Sequence, residues 1–157
     1  MKQLILGQLF KLLILCVFAK PAFAKGLVLW NRCEYGMTIA QVKNIHPKIN
    51  HTFLGGDKTV VYALDDVAVE GLPCRAVLVF SKTKNGSLHH IYLECKERFL
   101  LSDDEVRNYH QLWLDLLTKK YGTPVMDRNE CIWIVGSLRV SMRTYGLTIH
   151  YRCSDEI

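Results

Sequence analysis

The chain has 157 residues, of which 20 are Lys or Arg and 15 are Asp or Glu, for a formal net charge of +5. Three of the basic residues, Lys2, Lys11 and Lys20, fall in the first 24 positions, so the rest carries seventeen basic and fifteen acidic side chains, a net of +2. So small a surplus excludes the basic footprint by which a nucleic-acid-binding domain is read. No Pro-rich, Ser-rich or low-complexity stretch marks a linker, and the length suits one domain with a continuous core.

In chain order, the first element is a secretory signal. Lys2 supplies a positive n-region, Leu12 to Ala19 is a short apolar run, and Ala22-Phe23-Ala24 has the small-residue form of a cleavage site. The run is bounded by Lys11 and Lys20 and is shorter than the roughly 18 apolar residues of a spanning helix. Residues 1–24 are therefore expected to be removed, leaving 25–157 as a periplasmic or secreted domain without a transmembrane segment. Cys16 falls in the discarded part, and Leu15 stands where a lipobox wants a small residue.

Beyond the signal, Ile39, Val42 and Ile45 recur at helical spacing behind a Thr38/Gln41 capping box, and Pro47 stops the helix. Three strand-like segments follow, Thr59 to Leu64, Cys74 to Phe80 and Leu88 to Cys95, with Asn85-Gly86 as a turn signal between the last two. Gly55-Gly56-Asp57 reads as a turn and Asp65-Asp66 as the end of a strand. A longer helix opens at Ser102-Asp103-Asp104-Glu105 and carries Val106, Tyr109, Trp113, Leu116 and Leu117 on one stripe. Lys119 and Lys120 suit its negative end, and Gly122 and Pro124 close it. Three more strands are predicted at Cys131 to Val135, Leu138 to Thr144 and Leu147 to Cys153, separated by Gly136-Ser137 and Tyr145-Gly146. The halves end alike, Ile91-Tyr92-Leu93-Glu94-Cys95 against Ile149-His150-Tyr151-Arg152-Cys153. The expected fold is α+β and two-layered: tandem αβββ repeats, about 25–97 and 98–157, with an antiparallel sheet packed against two helices.

Gly36-Met37-Thr38-Ile39-Ala40-Gln41-Val42 followed by Pro47, with Tyr121-Gly122-Thr123-Pro124 after the long helix, resembles the helix-opening motif of small bacterial envelope proteins of the BamE/SmpA type. These belong to the outer-membrane barrel-assembly machinery. The duplicated helix-then-strands plan is similar to the beta-lactamase inhibitor protein fold, whose concave sheet grips a partner protein. Together the resemblances imply a small exported domain that binds another envelope protein and has no active site of its own.

The remaining residues bear on chemistry. Cys33, Cys74, Cys95, Cys131 and Cys153 show no C-x-x-C spacing, so an exported domain points to disulfides rather than zinc or redox catalysis. If Ser81 faces Leu88, the same register sets Cys74 opposite Cys95, the favoured pair. Cys131 and Cys153 fall on the first and third strands of a meander, and Cys33 is open to either. His89 and His90 are neighbours on a strand and point to opposite faces. A site from His90, His150 and Glu94 needs the last strands of the two halves to be adjacent. No nucleophile elbow or phosphate loop is present, so neither catalysis nor a cofactor is expected. A sheet covered on one face leaves the other for binding, with Tyr92, Trp133, His150, Tyr151 and Arg152 as candidates. The parity of the last strand, His150 and Arg152 or else Ile149 and Tyr151, stays open. The expected function is an exported protein-binding module, an inhibitor or immunity protein acting on an envelope toxin or hydrolase. The alternatives are an adaptor in outer-membrane or cell-wall assembly and, behind it, a small hydrolase or metal-binding protein.

Overall fold

The computed structural model describes residues 26–53, 59–83, 86–143 and 146–154. The expected signal, Gly55-Gly56-Asp57, Asn85 and Tyr145 lie outside the described residues. The described strands are β1 (Val28–Trp30), β2 (Cys33–Glu34), β3 (Asn50–Phe53), β4 (Thr59–Val69), β5 (Leu72–Ser81) and β6 (Ser87–Cys95), then β7 (Val125–Asp127), β8 (Glu130–Val135), β9 (Leu138–Arg143) and β10 (Thr148–Cys153). Helix α1 (Ile39–Ile45) precedes β3 and helix α2 (Asp103–Tyr121) precedes β7.

Both helices start where the capping chemistry dictates. The Thr38 hydroxyl accepts from the Gln41 amide while the Gln41 side chain accepts from the Thr38 amide, and Ser102 and Glu105 repeat the arrangement on α2. Asp103, Asp104 and Glu105 then sit at the positive end of α2 and Lys119 and Lys120 at its negative end. Gly122 ends the helix at φ +88°, a conformation that a side chain makes costly.

The strand expectation needs correction. The fold is mostly antiparallel sheet, not a tandem αβββ layout packed against two helices. Eight strands form one sheet in the order β3-β4-β5-β6-β10-β9-β8-β7, and β1 and β2 form a separate ribbon. Each helix is thus followed by four strands, and the two meanders join through their last members, β6 and β10. The helices are also unequal. Seven-residue α1 buries only Val42, whereas α2, with 19 residues, buries Val106, Trp113 and Leu117. Asp65-Asp66 does not end a strand either. β4 runs on through a register shift between Leu64 and Val67 and turns at Glu70-Gly71.

One face of the sheet carries the core. Leu78, Phe80, Leu88, Ile91, Leu93, Trp133, Val140, Met142 and Ile149 pack there with Leu29 and Cys33 of the ribbon, Val42 of α1 and the buried side of α2. Two indole nitrogens fix α2 across both meanders. Trp113 on the helix donates to the Val69 carbonyl at the end of β4 (3.3 Å), and Trp133 on β8 donates to the Gly122 carbonyl at the helix end (2.8 Å). The ribbon and α1 close onto β6 through paired backbone bonds, Gly36 amide to Leu88 carbonyl and Leu88 amide to Met37 carbonyl, each 2.7 Å. Among the described residues, no helix is long and apolar enough to cross a membrane.

Candidate functional site

The opposite face of the sheet holds the candidate site. Ala63, Val77, Val79, Ile132 and Ser141 are buried there outside the core cluster, so their neighbours on the same sheet shield them. Because β6 lies beside β10, Tyr92 faces His150 directly and His90 faces Arg152. The next ladder sets His150 opposite Ser141 and Arg152 opposite Arg139, and β8 brings Glu130 opposite Arg143. Four strands therefore contribute to one 420 Å³ cleft lined by His90, Glu130, Ser141, Arg143, His150 and Arg152.

Its lining carries more positive than negative charge, Arg143 and Arg152 against Glu130. The Ser141 hydroxyl donates to Glu130 Oε1 (2.9 Å) and Arg139 reaches Glu130 Oε2 (3.4 Å), so the one carboxylate of the cleft is engaged from within. Arg143 and Arg152 add two further positive charges. The Nε atoms of Arg139 and Arg152 are buried without a hydrogen-bond partner among the described residues. Beside them the rings form a file: His90 and Tyr92 lie 5.9 Å apart, and Tyr92 and His150 stack at 5.5 Å and 27°. Burial, reinforced by Arg143 and Arg152 and opposed by Glu130, holds His150 below the usual imidazole range. Burial, with Glu94 nearby, raises the Tyr92 phenol. At one end of the file, Arg75 bonds Asp65 (2.7 Å) and approaches Glu94 (3.9 Å), both partners being partly exposed.

The structure sorts the candidate residues. Tyr92, His150 and Arg152 share the open face. Trp133 and Tyr151 are 1% and 5% exposed in the core and present nothing to a partner. His90 and His150 both line the cleft, but Glu94 is drawn to Arg75, and Glu130 is the carboxylate beside them. Strict alternation would separate His89 from His90. A register shift opposite Val79 and Phe80 instead brings their ring centroids to 5.0 Å, the local re-aiming that a bulge produces. His46 stacks on Trp30, and His51 meets Tyr62 edge to face. Among the described residues no group of three or more His, Cys, Asp or Glu is placed to hold a metal ion.

Glu130, Arg139, Ser141 and Arg143 are absent from the sequence-derived candidates. One signal could have found them. The two-residue turn Gly136-Ser137 fixes the β8–β9 register and so sets Glu130 opposite Arg143. Comparisons of the chain with protein-family models, with curated proteins and with solved structures give no match. The class that fold and site define is thus a geometric one: a mostly antiparallel eight-stranded sheet with the core on one face and a cationic, ring-lined cleft on the other.

Proposed function

We propose that this protein is an exported protein-binding module, an inhibitor or immunity protein that holds an acidic segment of an envelope toxin or hydrolase against its open sheet face. The observation that supports this reading is the unbalanced charge of the cleft. Glu130 is satisfied by Arg139 and Ser141, which leaves Arg143 and Arg152 beside a planar stack of rings. Arginine and aromatic side chains dominate binding energy where they are desolvated together, and a partner's carboxylate can take both guanidinium and ring-edge contacts. The adaptor alternative leans on Gly36-Met37-Thr38. Gly36 takes a positive φ, Gly36 and Met37 dock on β6, and Thr38 caps α1, which accounts for them without an assembly partner.

The test is affinity capture from the envelope fraction of the host, using the full chain tagged at its C-terminus. Recovery of a polypeptide beginning at Lys25 and one dominant acidic partner, lost to an Arg143→Glu, Arg152→Glu bait, is the expected result. A partner retained equally by that bait would move the binding surface elsewhere, and an empty eluate would overturn the reading.

A further inference from the structure

The five described cysteines are all buried and present as thiols. Two of them face each other. Cys74 on β5 and Cys95 on β6 are direct partners in the antiparallel ladder, 0% and 9% exposed, on the core side of the sheet. Direct antiparallel partners have Cα atoms about 4.5–5.5 Å apart, inside the roughly 4.4–6.8 Å range of disulfides. The other pairing weighed from the sequence fails on geometry. Cys131 is opposite Met142, which is opposite Ile149, four residues short of Cys153, and β9 lies between the two strands. Two strand spacings of about 4.8 Å and four residues of about 3.3 Å put that pair far beyond bridging distance.

We propose that Cys74 and Cys95 form a disulfide that staples β5 to β6, and that it is made before the core closes. The step is thiol–disulfide exchange with an oxidant of the disulfide class, a protein or small-molecule R–S–S–R. One protein thiolate attacks the oxidant, releasing one thiol and leaving a mixed disulfide. The second protein thiolate then attacks the protein-borne sulfur, closing the bond and releasing the other thiol. The chain loses two hydrogens and the oxidant gains them. The order of events follows from burial. In the folded chain the Cys74 thiol is pushed up to about 11 by burial, with Cys95 adding to it, and it donates to the Leu72 carbonyl at 3.3 Å. Such a thiol supplies almost no thiolate at neutral pH, so exchange belongs to the unfolded or half-folded chain. The staple sits next to the seam between the meanders, since the Cys95 amide donates to the Leu147 carbonyl at 3.0 Å ahead of β10. Of the five described cysteines, Cys33, Cys131 and Cys153 then remain buried thiols. This inference does not depend on the partner proposed above.

The test is to denature and reduce the full chain, refold it in a mixture of reduced and oxidised glutathione, then unfold it with alkylating reagent and map the peptides. A linked Cys74–Cys95 peptide with Cys33, Cys131 and Cys153 each alkylated is expected. The melting temperature of the refolded protein should fall on reduction, by on the order of 10 °C. That fall should vanish in a Cys74→Ser, Cys95→Ser chain. Cys74 and Cys95 both alkylated, or either one bridged to a different cysteine, would overturn the assignment. If the double variant does not fold, the peptide map of the unaltered chain decides alone.

Discussion

His150 shows how burial and charge act on one side chain. Its imidazole is partly withdrawn from water and flanked by Arg143 and Arg152, so the neutral form is favoured despite Glu130. The folded protein then binds this proton more weakly than the unfolded chain does, whose histidine titrates near about 6.5. The stability owed to neutral His150 is therefore complete above that value and is lost as pH falls through the lower folded value. His110, also lowered by burial, adds to the same window. Melting curves between roughly pH 5 and 8 should show stability rising with pH, and His150→Gln should flatten the rise more than a surface substitution does. An unchanged slope in that variant would remove His150 from the account. Trp133 supplies a second prediction. Trp133→Phe removes the indole donor to the Gly122 carbonyl, a part-buried bond, and should cost about 0.5–1.5 kcal/mol in urea unfolding, whereas no loss would mean that the bond adds nothing net. At this scale the sequence was legible where one residue type had one use, as at both capping boxes. It was not legible for Trp133 and Tyr151, where an aromatic on a strand serves core and surface equally well.

Among elements, periodicity carried both helices and the six longer strands, because repeated apolar positions outweigh any single residue. The short ones escaped. β1 and β2 are joined by Asn31-Arg32 and β4 and β5 by Glu70-Gly71, each with both residues at positive φ. Such two-residue turns match the twist of a hairpin, yet Arg32 and Glu70 are not residues by which one is recognised. β7 has three exposed residues and shows no alternation of burial. Glu70 at φ +49° carries strain that asparagine tolerates better. Glu70→Asn should therefore stabilise the protein by up to about 1 kcal/mol, measured by denaturant midpoint, and a lower midpoint would mean that the Glu70 side chain does something else there. The fourth strand of each meander, β3 with four residues and β7 with three, was lost for its shortness, and with it the correction to the fold.

For the whole molecule, the decisive fact is that β6 and β10 are neighbours. Nothing in the chain between them announces the pairing, so the site assembled from β6, β8, β9 and β10 could be read only in fragments. His90 and His150 were considered together, but the ladder that adds Ser141, Arg143 and Glu130 was not. The cationic cleft gives a prediction at this scale. Capture of an acidic partner should weaken as salt rises, since the cleft is open and its charges are screened. Arg143→Glu should slow association and lower affinity by at least about tenfold, read by surface plasmon resonance at two ionic strengths. Binding indifferent to both changes would place the partner on another surface.

The same β6–β10 seam governs the order in which the molecule comes together. Each four-strand meander is built from turns between sequence neighbours, but the seam joins Ser87–Cys95 to Thr148–Cys153 across the whole of α2 and the second meander. Closing so long a stretch of chain loses more entropy than any hairpin, and such non-local pairings set the pace of folding. Each meander can form early, with an unpaired strand waiting at its inner edge. Until the seam closes, those two inner edges add to the outer edges β3 and β7 as places for mispairing with other chains, and joining them shields both at once.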